Sequence, residues 1–164
     1  MANKEGHWLF IVKTDDRPGA AASVAVVFSG RGLQIESFIG YGDINYHSKD
    51  TEGVIAITFK AFERHMRHVA RVLTRLEQVR ELDVYNYEDP QLTKTATIRI
   101  NRPVKELKLL AVYSEAAVVD LNNEDDGTYG AVVIGRTRDV DSVVEAAIKQ
   151  GILVSSIYAI LPPK

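Results

Sequence analysis

The stretch FIVKTDDRPGAAASVAVVFSGRGLQIESF, residues 10–38, decides how this chain is read. Residues 9–12 are apolar, with β-branched and aromatic members, and turn residues from Asp15 to Gly19 end the run, which predicts a strand. Pro18 suits the first turn of a helix, where its missing N–H has no partner to lose. Ala21, Val24, Ala25 and Phe28 then recur at i, i+3, i+4 and i+7, which sets one apolar stripe on a helix. Gly30 and Gly32 stop that helix, and residues 33–41 read as a second strand. Between strand and helix stands Asp15-Asp16-Arg17-Pro18-Gly19, and the chemistry of that junction is the open question.

Working outward, residues 42–53 are polar and rich in turn formers and read as a mobile loop. Residues 54–60 predict a third strand. Phe62, Met66, Val69, Ala70, Leu73 and Leu76 repeat at helical spacing, and residues 82–87 predict a fourth strand. The order is β-α-β-β-α-β. The remainder repeats it. Ala96, Ile98 and Ile100 alternate with polar residues, Asn101-Arg102-Pro103 opens a helix with Leu107, Leu110 and Ala111, and residues 116–121 and 129–135 form a strand pair around NNEDDG, 122–127. Val140, Val143, Val144, Ala147 and Ile148 mark a last helix that Gly151 ends, before a final strand over 152–160. Arg17-Pro18 and Arg102-Pro103 form one echo, Phe28-Ser29 and Tyr113-Ser114 another, each offset by 85 residues. The expectation is an α+β protein of two ferredoxin-like βαββαβ units in tandem, at 7–87 and 95–164, with a linker at 88–94. A unit of about 75 residues buries only a modest core, so sheet edges or faces are expected to pair between copies or subunits.

Composition narrows the functions. Of 164 residues, 46% are apolar and 26% charged, as in an ordinary globular protein, and the net charge of −2 supplies no attraction to nucleic acid or an anionic membrane. No apolar run approaches the roughly 20 residues that span a bilayer. The opening MANKEGHW has no secretory apolar segment, so a soluble cytoplasmic protein is expected. The absence of cysteine excludes disulfides, thiolate nucleophiles and cysteine-based zinc sites.

A strand ending in two aspartates is superficially that of a phospho-accepting receiver domain. That fold needs strictly alternating strands and helices and an aspartate at the end of its third strand, whereas Asp50 falls in the polar loop. An RNA-recognition unit shares the βαββαβ order but stacks bases on third-strand aromatics, and EGVIAITF, 52–59, offers Glu52, Val54 and Ala56 there. Four histidines, His7, His47, His65 and His68, could ligate a metal. His65 and His68 lie among Arg64, Arg67 and Arg71, and crowded cations disfavour one, so no metal site is expected. No Ser-His-Asp, HExxH or phosphate-loop pattern occurs, and no catalytic residue is assigned. A helix start, by contrast, presents unpaired N–H groups with partial positive charge, which accept a carboxylate. Gly19 lets one approach closely, Ala20 leaves room, and Asp15 and Asp16 could pair with an ammonium group. The plainer alternative is that Asp16 caps the helix and Arg17 forms a surface ion pair.

The combination strand, D-D-R-P-G, helix and FSGRGLQIESF resembles the ACT domain, a small amino-acid-sensing module. More narrowly, F-S-x-R-G-x-x-I-E-S, carried by Phe28, Ser29, Arg31, Gly32, Ile35, Glu36 and Ser37 and followed by a second βαββαβ half, resembles the acetolactate synthase regulatory small subunit. The resemblance implies a non-catalytic chain that dimerises through its N-terminal ACT unit. It would bind an amino-acid effector, commonly valine or another branched-chain amino acid, at that interface, and associate with the acetolactate synthase catalytic subunit. That partner would carry thiamine diphosphate, Mg and FAD, and this chain no cofactor. The implied effector residues are Asp15, Asp16, Arg17, Pro18, Gly19, Ala20, Leu33, Gln34 and Ile35, contributed from two subunits. Asp16 and Gln34 stand where the family has asparagine, which implies weakened or altered effector binding. Val104 follows Arg102-Pro103 where Gly19 follows Arg17-Pro18, so only the first unit is expected to bind effector. A stand-alone tandem ACT regulator of another enzyme or of transcription is the alternative.

Overall fold

The computed structural model describes residues 5–42, 52–123 and 127–162. Most of the polar loop, with His47 and Asp50, and residues 124–126 of the second-unit turn lie outside the described residues. The chain divides into two compact units, Met1–Tyr87 and Glu88–Lys164. Each is taken by itself below.

The first unit runs β1 (Glu5–Asp15), α1 (Ala20–Ser29), β2 (Ile35–Tyr41), β3 (Glu52–Phe62), α2 (Glu63–Leu73) and β4 (Val79–Asn86). Its four-stranded sheet has the order β2-β3-β1-β4, with every neighbour antiparallel. Phe10 and Val12 of β1, Ile57 and Phe59 of β3, Val24 and Phe28 of α1 and Val69 and Leu73 of α2 belong to one buried cluster. The rings of Phe10, Phe28 and Phe59 meet edge to face, with centroids 4.8 to 6.2 Å apart. This geometry brings each positive ring edge against a negative ring face.

The second unit repeats the plan as β5 (Thr93–Ile100), α3 (Val104–Leu110), β6 (Ala117–Asn123), β7 (Tyr129–Arg136), α4 (Thr137–Lys149) and β8 (Leu153–Leu161), with sheet order β6-β7-β5-β8. Its core is built from smaller side chains, among them Ile98, Val104, Leu107, Val133, Val140 and Ala147. The tandem ferredoxin-like α+β architecture is therefore the one expected.

Two expectations need correction. Pro18 does not lie in the first helical turn, because Gly19 adopts a left-handed conformation (φ 89°) and α1 begins only at Ala20. The 85-residue echo also fails: Phe28 is fully buried, whereas Tyr113 is 99% exposed in a short 3₁₀ turn after α3. Buried positions in α1 and α3 match at a shorter offset (Val24 with Leu107, Phe28 with Ala111), since two residues of slip turn a helix through about half a revolution. The repeat lives in the topology, not in those dipeptides. Among the described residues no helix is long and apolar enough to cross a membrane.

Candidate functional site

β1 ends where the Asp15 amide donates to the Gln78 carbonyl (2.9 Å), and the chain then folds into a tight turn. The Arg17 amide donates to the Asp15 carbonyl (2.9 Å) and the Ala20 amide to that of Arg17 (3.2 Å). Gly19 is the N-cap residue of α1, and its carbonyl accepts from both the amide (2.9 Å) and the hydroxyl (3.0 Å) of Ser23. A side chain at Gly19 would meet no atom within 4 Å, so space at the helix start is open and glycine is required for its φ alone.

The two aspartates have different surroundings. Asp15 Oδ1 accepts from Arg80 Nε at 2.5 Å, and Oδ2 lies 3.6 Å from Arg17 Nη2, which is also 3.7 Å from Glu77 Oε1. Asp15 thus closes the turn onto the start of β4 and is committed to arginine rather than to an ammonium ligand. Gly19, not Asp16, is the N-cap residue of α1. The Asp16 carboxylate lies against Gly42 at the end of β2, where a Cβ would come within 3.2 Å of Oδ2. Gly53 is equally close: a Cβ there would stand 3.0 Å from Thr14 Oγ1 and 3.7 Å from the Asp16 Cα. A cavity of about 180 Å³, lined by Thr14, Asp16, Arg17, Ala20, Ala21 and Tyr41 among others, opens between the acidic turn and the ends of β2 and β3. It has room for about six waters. Thr14, Tyr41, Gly42 and Gly53 carry no local sign of a site; strand pairing alone delivers them to the acidic turn.

Leu33, Gln34 and Ile35 are elsewhere. Leu33 and Gln34 line a separate opening of about 370 Å³ with Glu5, Gly32, Glu36 and Lys60. Ile35 pairs with Phe59, which pairs with Trp8, whereas Asp15 is at the far end of β1. Seven residues of strand, about 23 Å, separate the two levels. One protomer therefore groups the residues from Asp15 to Ala20 at one end of β2 and those from Leu33 to Ile35 at the other.

The F-S-x-R-G-x-x-I-E-S residues make the helix-to-strand connection. The Leu33 amide donates to the Phe28 carbonyl (3.1 Å) and the Gly32 amide to that of Ser29 (3.0 Å), a helix lock that needs the left-handed Gly32 (φ 63°). Arg31 Nη1 donates to the Val27 carbonyl at 3.2 Å. The β2–β3 register shifts between Ile35 and Ser37, which leaves Glu36 as a bulge residue. Its carboxylate reaches His7 Nε2 (2.6 Å) and Lys60 Nζ (3.1 Å). Ser37 Oγ and Thr58 Oγ1 lie 2.6 Å apart across the strands.

In the second unit α3 starts directly after its N-cap Pro103, and Val104 is buried in that unit's core. Val104 is thus the first residue of α3, the place that the buried Ala20 holds in α1, and Pro103 rather than Val104 stands at the N-cap position of Gly19. Among the described residues no group of three or more His, Asp or Glu could hold a metal ion.

No family model and no curated protein matches the sequence. Among solved structures, the chain is similar to the acetolactate synthase small subunit from Thermotoga maritima, with a TM-score of 0.64 and 14% identity over 96% of this chain and 98% of that one. It is also similar to the regulatory subunit of aspartate kinase from Thermus thermophilus, with a TM-score of 0.46 and 17% identity over 86% of this chain and 92% of that one. At 14% identity the likeness to the small subunit establishes a shared fold, over nearly the full length of both chains.

Proposed function

We propose that the chain is a non-catalytic regulatory subunit of an acetolactate synthase, which activates a thiamine-diphosphate-dependent catalytic subunit. The first unit takes a small amino-acid effector at a site shared by two protomers. The cofactors (thiamine diphosphate, Mg and FAD) belong to the partner, and a cytoplasmic setting goes with that role.

The observation that carries this reading is the placement of the two half-sites at opposite ends of β2. Among the described strands β2 is an edge, with backbone donors and acceptors available to a further strand. Antiparallel pairing of two β2 strands about Phe38 would set Ile35 opposite Tyr41 of the partner subunit. Each acidic turn would then face the segment that carries Leu33 and Gln34 in the other copy. A zwitterion there would present its carboxylate to the amides that start α1 and its ammonium to Asp16. Asp16 also opposes that carboxylate, so valine binding is weak or another ligand is preferred.

The test mixes the purified protein with a candidate catalytic subunit and measures acetolactate formation with and without valine. Stimulation of the enzyme is expected. No stimulation and no co-sedimentation would reject the partner, and a monomer in sedimentation at tens of micromolar would reject the shared site.

A further inference from the structure

We propose that a second ligand site lies on the helix side of the first unit, between the end of α1 and α2, and takes a small carboxylate with a short aliphatic tail. A cavity of about 180 Å³ is lined there by Arg31, Leu33, His65, His68 and Val69. Val69 is fully buried and Leu33 packs on the same core, so the floor is apolar. The other three side chains are nitrogen donors from two elements, and no carboxylate is among the lining residues. Arg31 spends Nη1 on the Val27 carbonyl, and His65 meets the Phe62 ring edge to face. Among the described residues none of Arg31, His65 and His68 is paired with an acid.

The fold does not demand these nitrogen donors. α4 occupies the same place in the second unit, and its buried Val140, Val143 and Ala147 correspond to Met66, Val69 and Leu73. Where α2 carries His65, Arg67 and Arg71, α4 carries Asp139, Asp141 and Glu145. The first turn of α2 holds one acid, Glu63, already paired with Arg67. An apolar floor under a rim of one guanidinium and two imidazoles favours an anion whose body is hydrophobic. This site is distinct from the acidic turn, and its ligand needs no ammonium group.

The experiment is amide NMR of the full chain titrated separately with isovalerate, acetate, inorganic phosphate and isobutylamine. Isovalerate is expected to shift Arg31, Leu33, His65, His68 and Val69 saturably, and to bind about fivefold tighter than acetate because its branch rests on the floor. Isobutylamine is expected to leave them unmoved. Arg31→Ala and His68→Ala should each weaken isovalerate about fivefold or more, with Arg75→Ala as the neutral control. Shifts spread evenly along α2 would overturn the proposal in favour of a solvated basic face. Phosphate tighter than isovalerate would overturn the aliphatic class, and displacement by polyglutamate at lower concentration would assign the surface to an acidic protein. Valine provides the separation from the proposed effector site, since its signature falls on residues 16–22.

Discussion

Phe28 and Tyr113 occupy echoing positions in the sequence and opposite environments in the structure, which makes their truncation a sharp test. Phe28 is fully buried, with its ring edge to face against Phe59 (5.0 Å between centroids) and Phe10 (6.2 Å). Removing such a ring from a packed core costs about 3 to 5 kcal/mol, through lost transfer energy and an unfilled cavity. Tyr113 is 99% exposed, so Tyr113→Ala should stay within about 0.5 kcal/mol of wild type. Trp8 is the only tryptophan, packs against the first-unit cluster and donates Nε1–H to the Ala61 carbonyl (2.9 Å), so its fluorescence reports on that unit. Urea unfolding followed by Trp8 emission should show Phe28→Ala shifted by most of the unit's stability, since small domains hold only about 5 kcal/mol in total. Phe28→Leu, which keeps most of the volume, should lose about 1 to 2 kcal/mol at unchanged m-value and serves if the alanine variant does not fold. A Phe28→Ala loss below about 1 kcal/mol, or a Tyr113→Ala loss above it, would refute the burial assignment.

Asp16→Asn removes a negative charge beside the open helix start and should tighten valine binding about tenfold or more by calorimetry; unchanged or weaker binding would contradict the proposed effector geometry. Gly19→Ala meets no neighbour but forces a Cβ into a left-handed conformation, so it should cost about 1 kcal/mol in chemical denaturation, and a neutral result would mean that the turn readily reshapes. Glu36→Gln weakens the contacts with His7 and Lys60 at the β2 bulge; both are partly exposed, so the loss in urea should be under about 1 kcal/mol, and a larger one would show the bulge depends on that charge. Val104→Gly should cost about 2 kcal/mol or more in thermal unfolding without creating a valine site, because Val104 is core in the second unit and not a barrier to an otherwise intact pocket.

Much of the site was legible as a corner and little of it as a pocket. The apolar run before Asp15 and the stripe at Val24 and Phe28 predict a strand and a helix, because burial of one face imposes its period on the residues. Gly19 and Gly32 announce two left-handed positions that other residues adopt only at a cost. F-S-x-R-G-x-x-I-E-S is conspicuous in the sequence, yet in the fold its hydroxyls, its carboxylate and one guanidinium nitrogen go to the helix end, the cross-strand contact and the bulge. A run of residues with a recognisable pattern does not say which of them face a ligand.

From its own residues the chain determines two βαββαβ units and the left-handed corner that opens the first helix. Those are local matters, decided by periodicity and by which backbone angles a side chain tolerates. Only the tertiary structure decided that Asp15 belongs to Arg80, that Asp16 lies on Gly42, and that Gln34 sits about 23 Å along the sheet from the acidic turn. Such pairings join residues up to 65 positions apart. Strand register sets them, and no single segment of sequence contains a register.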